Sequence, residues 1–178
     1  AAAGAKVAIA ARSVEVTDKR LPGTIHTVSE SINNSGGKAI PVVMNMRDME
    51  SIKSGVDQTV EELGGLDIIV NNAAILVPGS LDSVQERHID LIWQIDLKGP
   101  LVLMKHSLPH LRNAGGGDII NVSSIAGVFP GPGPYEPLEK GREGSFYGMV
   151  KSGLERFSQG LAREVQADKI KVNVLSPQ

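Results

Sequence analysis

Cysteine is missing from all 178 residues, which excludes a disulfide framework and any thiolate-bound metal and fits a reducing compartment. No run of lysine or arginine occurs, and 18 basic residues against 20 acidic ones leave a formal net charge of -2. That balance argues against a nucleic-acid footprint or an anionic membrane surface and for a small-molecule partner. No apolar run approaches the length of a membrane span and no signal peptide is visible, so a cytoplasmic location is the default expectation. Aromatics are scarce, with one Trp, two Tyr and three Phe. An initiating methionine is absent too: the chain opens "AAAGAKVAIAARS" and stops at "KVNVLSPQ", as if cut at both ends. What is present, 41% hydrophobic and 21% charged residues, suits one globular domain with a sizeable core.

Hydrophobic patterning alternates between short apolar runs and longer helical stretches. Strands are expected at 5–11, 38–45, 66–70, 118–123 and 170–175. Helices are expected after residue 21 up to the Gly36-Gly37 stop, over 48–63, over 83–113, and from Phe146 to Gln166. The 83–113 stretch is too long for one ordinary helix and should bend near Gly99-Pro100, because proline sits poorly in a helix interior. Strands alternating with helices of ten or more residues predict a parallel, doubly wound α/β sheet of Rossmann type, covered by helices on both faces, with residues 1–178 as a single domain. Runs such as "DIIV" lack polar alternation, as expected of strands buried on both faces. Ligands of such sheets sit beyond the carboxyl ends of the strands. The residues to inspect are therefore Arg12, Asn45 to Asp48, Asn71 to Ala74, Ser123 to Gly127 and Ser176 to Gln178.

The sequence also lacks a usable phosphate turn. Gly127, Gly131 and Gly133 have a suggestive spacing, but Pro130, Pro132 and Pro134 remove N–H groups that a pyrophosphate needs, and no helix opens directly behind them. A stiff surface loop is the better reading. If this fold binds a dinucleotide, the first strand and its glycine-rich turn precede residue 1.

Three stretches carry chemistry when taken in order. "VNNAAI" follows the third expected strand, "INVSSIAG" follows the fourth, and "YGMVK" opens the next helix. Each is weak alone, since a Tyr-x-x-x-Lys spacing arises easily by chance. As an ordered set with this strand placement they resemble the short-chain dehydrogenase/reductase family over nearly the whole chain. The resemblance implies Tyr147 as general acid/base, Lys151 one helical turn on favouring the phenolate and reaching the nicotinamide ribose, and Ser124 bonding the substrate oxygen. Ser123 is the weaker candidate, because successive strand residues face opposite ways. Hydride transfer between an alcohol and a ketone or aldehyde is the implied reaction.

The chain departs from the family pattern at three points. Where many members carry an asparagine on the long helix that completes a proton relay, this chain has Asp96, which when ionised accepts but cannot donate. The Asn-Asn-Ala-Gly turn reads Asn71-Asn72-Ala73-Ala74, and the Pro-Gly after the last strand reads Pro177-Gln178. A catalytically impaired relative that binds nucleotide or a protein is the alternative these departures motivate. An epimerase or dehydratase on the same scaffold needs a larger substrate domain than the chain can supply.

Cofactor type should be legible after the first expected strand, where an acidic residue binds the ribose 2′-hydroxyl and an arginine accommodates a 2′-phosphate. Arg12 and Ser13 stand there with no carboxylate before Glu15, which favours NADP(H) over NAD(H). Asn45 and Met46 should flank the adenine, and Asn71, Ala73, Ala74, Tyr147, Lys151 and Pro177 complete the expected cofactor contacts. The family's usual length implies a substrate lid after residue 178, and these 178 residues alone should then bind NADP(H) weakly. Residues 128–146 lengthen the Ser124 to Tyr147 spacing and read equally well as a substrate mouth or a plain surface loop. His106 and His110 lack the glutamate of a zinc-protease helix and carry Pro109 between them, so no metal is expected. Met44, Met46 and Met49 read as core filler or pocket lining. The family often forms homodimers or homotetramers through its two long helices; Leu154, Phe157 and Leu161 are candidates for that face or for the core.

Overall fold

A computed structural model describes residues 1–16, 23–128 and 144–177. Within it residues 1–66 and 67–178 form two compact units.

In the first unit, β1 (Lys6–Ala11) and β2 (Lys38–Val43) pair in parallel, from Lys6 opposite Lys38 to Ala11 opposite Val43. Helix α1 (Ile25–Asn34) lies between them in sequence. The Thr24 hydroxyl accepts from the Thr27 N–H while the Thr27 side chain accepts from the Thr24 N–H, so two orphan donors at the helix start are satisfied together. Helix α2 (Met49–Leu63) opens on Asp48, whose carboxylate accepts from the Glu50 and Ser51 N–H groups. It ends at Gly64, where φ of 87° is a left-handed turn that glycine takes without steric cost. Ile25, Ala39, Val42, Met44, Ile52 and Val56 are buried together, and each large aliphatic side chain removed from water contributes roughly 1.5–3 kcal/mol. Met44 belongs to that core.

In the second unit, β3 (Ile68–Asn71), β4 (Gly117–Val122) and β5 (Ile170–Leu175) form a parallel sheet in the order β3-β4-β5. Strands β3 and β4 are linked through α3 (Glu86–Trp93), a π turn (Gln94–Lys98) and α4 (Gly99–Asn113). Helix α5 (Ser145–Glu164) precedes β5. The expected interruption of the long helix is there, but it falls just before Gly99 and takes the form of the π turn. Pro100 has no N–H to return to the Asp96 carbonyl, and the ladder passes this point with the Gly99 N–H bonded to the Gln94 oxygen, five residues back. The core gathers Ile92, Met104, Leu111, Ile119, Val150 and Leu154. Leu154 and Leu161 are thus core residues, while Phe157 keeps 36% of its surface exposed.

One expectation about the strands changes. β3 is not covered on both faces: Ile69 and Asn71 are buried, whereas Ile68 and Val70 are 54% and 55% exposed. Its lack of polar alternation therefore hides a one-sided burial. Among the described residues no helix is long and apolar enough to cross a membrane, and no cluster of three or more His, Asp or Glu could hold a metal ion.

Candidate active site

Because β3, β4 and β5 run parallel, their carboxyl ends lie on one edge of the second unit, and the residues after them are neighbours in space. The Ser123 N–H donates to the Leu175 carbonyl at 2.8 Å and the Ile125 N–H to the Pro177 carbonyl at 3.4 Å. The turn after β5 is thereby tied to the turn after β4.

At the end of β3, Asn71 is buried, and its Nδ2 donates to Asn121 Oδ1 at 2.7 Å. Asn121 passes the chain on through Nδ2 to Ser158 Oγ at 2.8 Å, and Ser158 donates to the Leu154 carbonyl at 2.7 Å. This buried ladder joins β3, β4 and α5, so the Asn71 side chain acts as an internal strut. Asn72, Ala73 and Ala74 are exposed at the strand end.

The two serines after β4 have different partners. Ser123 is buried and donates from Oγ to Glu155 Oε1 at 2.6 Å; the same oxygen accepts from Ser176 Oγ at 3.1 Å. Ser124, half-buried, caps the short 3₁₀ turn Ile125–Gly127 by accepting from the Ala126 N–H at 3.2 Å. Capping uses an oxygen lone pair, so it leaves the hydroxyl proton uncommitted.

Helix α5 presses against this serine turn. A side chain at Gly148 would bring a Cβ within 2.6 Å of the Ala126 carbonyl oxygen, so the contact requires glycine at that point. Ser152 donates to the Gly127 carbonyl and Lys151 Nζ donates to the Val122 carbonyl at 3.0 Å. With the helix so anchored, the Lys151 ammonium sits 5.4 Å from the centre of the Tyr147 ring. Lys151 is only 2% exposed, and burial lowers its pKa while the nearby Asp96 charge raises it.

Asp96 lies in the π turn and is fully buried. Its Oδ1 accepts from the Ile75 N–H at 2.9 Å, holding the segment after Ala74. Its Oδ2 has no hydrogen-bond partner and stands 3.8 Å from Lys151 Nζ, within ion-pair reach but too far for a hydrogen bond. Burial pushes the Asp96 pKa up to about 6, against the opposing pull of the Ile75 N–H and the Lys151 charge. The edge thus carries a phenol, a buried ammonium, a buried carboxyl and a serine hydroxyl, a set suited to moving a proton at a bound oxygen.

Of the expected cofactor residues, Arg12 and Ser13 follow β1 in the first unit and are exposed. Arg12 forms no ion pair among the described residues, and Ser13 offers its carbonyl to the Ile25 N–H at 3.2 Å. An exposed guanidinium at a strand end fits a 2′-phosphate in donor type and charge. Asn45 is partly committed, its Oδ1 accepting from the Arg47 N–H at 3.1 Å and its N–H donating to Ser51 Oγ at 3.0 Å. Met46 is half-buried beside it. Of the segment 128–146, expected as a substrate mouth or a plain surface loop, residues 129–143 lie outside the described residues, and so does Gln178. Sequence reasoning missed Glu155, Asn121 and Ser158. Glu155 stands one helical turn after Lys151, a position that no motif marks; Asn121 was quoted only as a motif letter.

The short chain dehydrogenase family pattern matches residues 1–178. Hydroxysteroid dehydrogenase-like protein 2 of Bos taurus is 35% identical over 175 residues, covering 98% of this chain and 39% of the relative. Two solved structures align with a TM-score of 0.82 each. L-sorbose reductase from Gluconobacter frateurii, complexed with NADPH and L-sorbose, is 27% identical over 98% of this chain and 60% of its own. A blue fluorescent protein from a metagenomic library, in complex with NADPH, is 26% identical over 99% of this chain and 65% of its own. The chain therefore spans about 39% of the length of that curated relative. Parallel strands linked by helices, motifs at two successive strand ends and at the start of the next helix, and a pattern matched along the entire sequence lead to one conclusion: this chain belongs to the short-chain dehydrogenase/reductase family, with its Rossmann-like α/β fold.

Proposed function

We propose that the chain carries the catalytic edge of an NADP(H)-dependent oxidoreductase that interconverts an alcohol with a ketone or aldehyde. The observation that carries this reading is the seating of Lys151: buried, bonded to the Val122 carbonyl next to the serines, with its ammonium 5.4 Å from the Tyr147 ring centre. A lysine on a solvated helix face has no reason to be buried there. Two solved relatives in complex with NADPH support the choice of cofactor.

NADPH, when bound, supplies the hydride for the carbonyl carbon. The remaining work falls to this chain. Tyr147 gives its phenolic proton to the carbonyl oxygen during reduction and recovers one from the alcohol during oxidation. Oxidation needs the phenolate, and the Lys151 ammonium is the neighbouring cation placed to favour it. Ser124 turns its hydroxyl proton toward the substrate oxygen while its lone pair keeps the cap on Ala126. Ser123 is held by Glu155 and keeps the turn in place. In the first unit Arg12 would meet the 2′-phosphate, with Ser13, Asn45 and Met46 as the residues for the adenosine; in the second, Asn71, Ala73, Ala74 and Pro177 would serve the nicotinamide. A homodimer or homotetramer is the assembly this family membership favours.

The test is NADPH consumption by the whole polypeptide that carries these residues, with a panel of ketones and aldehydes. Turnover on at least one of them, abolished in Tyr147→Phe, is the expected result. Cofactor binding without turnover on any member of the panel overturns the reading and favours the impaired binding module.

A further inference from the structure

Lys151 is a buried cation with one backbone acceptor, a costly arrangement unless an anion stands near. Among the described residues Asp96 is the anion that does so, at 3.8 Å. Asp96 Oδ2 in turn is buried and has no hydrogen-bond partner, so the two groups answer each other's need across a short gap. A neutral side chain such as asparagine at this position would meet the Ile75 N–H equally well but would leave the ammonium without a counter-charge.

We propose that Asp96 is the buried counter-ion of Lys151 and, through it, a positioning residue that sets how strongly the lysine's charge acts on Tyr147. The clause about Tyr147 rests on the oxidoreductase reading above; the ion pair itself does not. The three groups stand in series: carboxylate on the π turn, ammonium on α5 at 3.8 Å from it, phenol one helical turn back with its ring centre 5.4 Å from the ammonium. With Asp96 ionised, part of the ammonium's field is cancelled and the phenolate is favoured less. With Asp96 protonated, Lys151 faces Tyr147 as a lone cation and favours the phenolate more, while becoming easier to deprotonate itself.

Other charged groups do not confuse the assignment. α3 brings Asp90, the π turn Lys98, α4 Lys105 and His106, and α5 Glu155; of these and all other described groups, only Lys151 exerts a resolved charge effect on Asp96. Among the described residues Asp96 is likewise the one charge acting on Lys151.

The experiment uses the whole polypeptide, wild type and Asp96→Asn, with lysine side chains isotopically labelled and the Lys151 signal assigned through Lys151→Arg. The Lys151 ammonium resonance is followed against pH, and the pH–rate profile of alcohol oxidation with NADP+ is recorded on the same samples. In Asp96→Asn the lysine is expected to titrate at lower pH than in wild type. The acid limb of the rate profile is expected to move the same way by about one pH unit, a roughly tenfold gain in rate at fixed pH on that limb. An unmoved Lys151 titration overturns the counter-ion. A moved Lys151 with an unmoved rate profile overturns its link to Tyr147 alone. A moved Lys151 in a protein that turns over no alcohol sustains the ion pair and sinks the oxidoreductase reading instead. Should Asp96→Asn fail to fold, wild type decides by itself: the Lys151 signal must show a step at the pH where the labelled Asp96 carboxyl titrates, and its absence overturns the pair.

Discussion

The carboxyl end of β1 and the carboxyl ends of β3 to β5 use their polar residues in opposite ways. After β1, Arg12 and Ser13 are exposed and the arginine has no ion pair among the described residues. After β3, β4 and β5 the polar side chains are largely engaged with one another, several of them buried: Asn71 with Asn121, Asn121 with Ser158, Ser123 and Ser176 with Glu155, and Lys151 with Val122 and Asp96. An exposed recognition group acts by its own charge and is exchangeable. A buried reacting group acts through the partners that orient it, and each replacement disturbs several bonds at once. The first kind of site tunes which ligand binds; the second holds a geometry.

Removing the phenol at the buried edge tests this contrast most severely. Tyr147→Phe leaves the helix, Gly148 and the Lys151 anchor intact, and is expected to lower the turnover number by about 10²–10⁴ with little change in cofactor affinity. Steady-state rates beside NADPH titration by fluorescence measure both halves of that statement.

Next in size is Asp96. Its folded pKa lies near 6 against an ordinary value of 3.8, so the folded protein retains a proton over this window that the unfolded chain has released. Stability is then highest with Asp96 protonated and falls as pH rises from about 4 to about 6. Asp96→Asn removes this pH dependence but also the counter-charge of Lys151, so its stability is expected to stay level over the same window while that of the wild type falls. The difference between the melting temperatures of the two proteins should therefore change from about pH 4 to about pH 6. Parallel melting curves at every pH sink this account of the carboxyl.

Arg12→Ala tests the exposed site. It is expected to weaken NADPH by roughly tenfold or somewhat more, in keeping with about 1.5–3 kcal/mol for a hydrogen bond to a charged group, while leaving NADH untouched. An equal loss for both cofactors contradicts a role at the 2′-phosphate, and so does no loss for either.

The smallest change is expected at Glu155. Glu155→Gln keeps an oxygen acceptor for Ser123 and Ser176 and should cost under about 1 kcal/mol, whereas Glu155→Ala leaves the buried Ser123 hydroxyl unanswered at about 1–3 kcal/mol. Denaturant unfolding of the two variants distinguishes them. Equal losses indicate that the carboxylate charge matters rather than the acceptor.

Much of the fold could be read from local pattern because local forces build it. The five strands and the helices after them follow hydrophobic runs and stop signals such as Thr24, Asp48 and Gly64, whose effects reach only one helical turn. The bend in the long helix was legible from Pro100, though not its π form, since proline shows which N–H is missing and not how the ladder passes the gap. The burial of β3 was misread because an apolar run reports what a strand tolerates rather than what covers it. Glu155, Asn121 and Ser158 were invisible because their partners lie 21 to 50 residues away in sequence.

By itself, then, the sequence determined the strand–helix alternation, the order of the three motifs and the residue types they carry: phenol, amine and hydroxyl, with a carboxyl on the long helix and an arginine after β1. Side-chain chemistry and local spacing are properties of the chain before it folds. Only the tertiary structure decided which serine is held and which is half-open, that Asn71 is a strut, and that Asp96 and Lys151 face each other in a place from which water is excluded. Burial and distance between elements decide those matters. A carboxyl with an ordinary pKa in water becomes a group that titrates near 6 once β3, the π turn and α5 close around it.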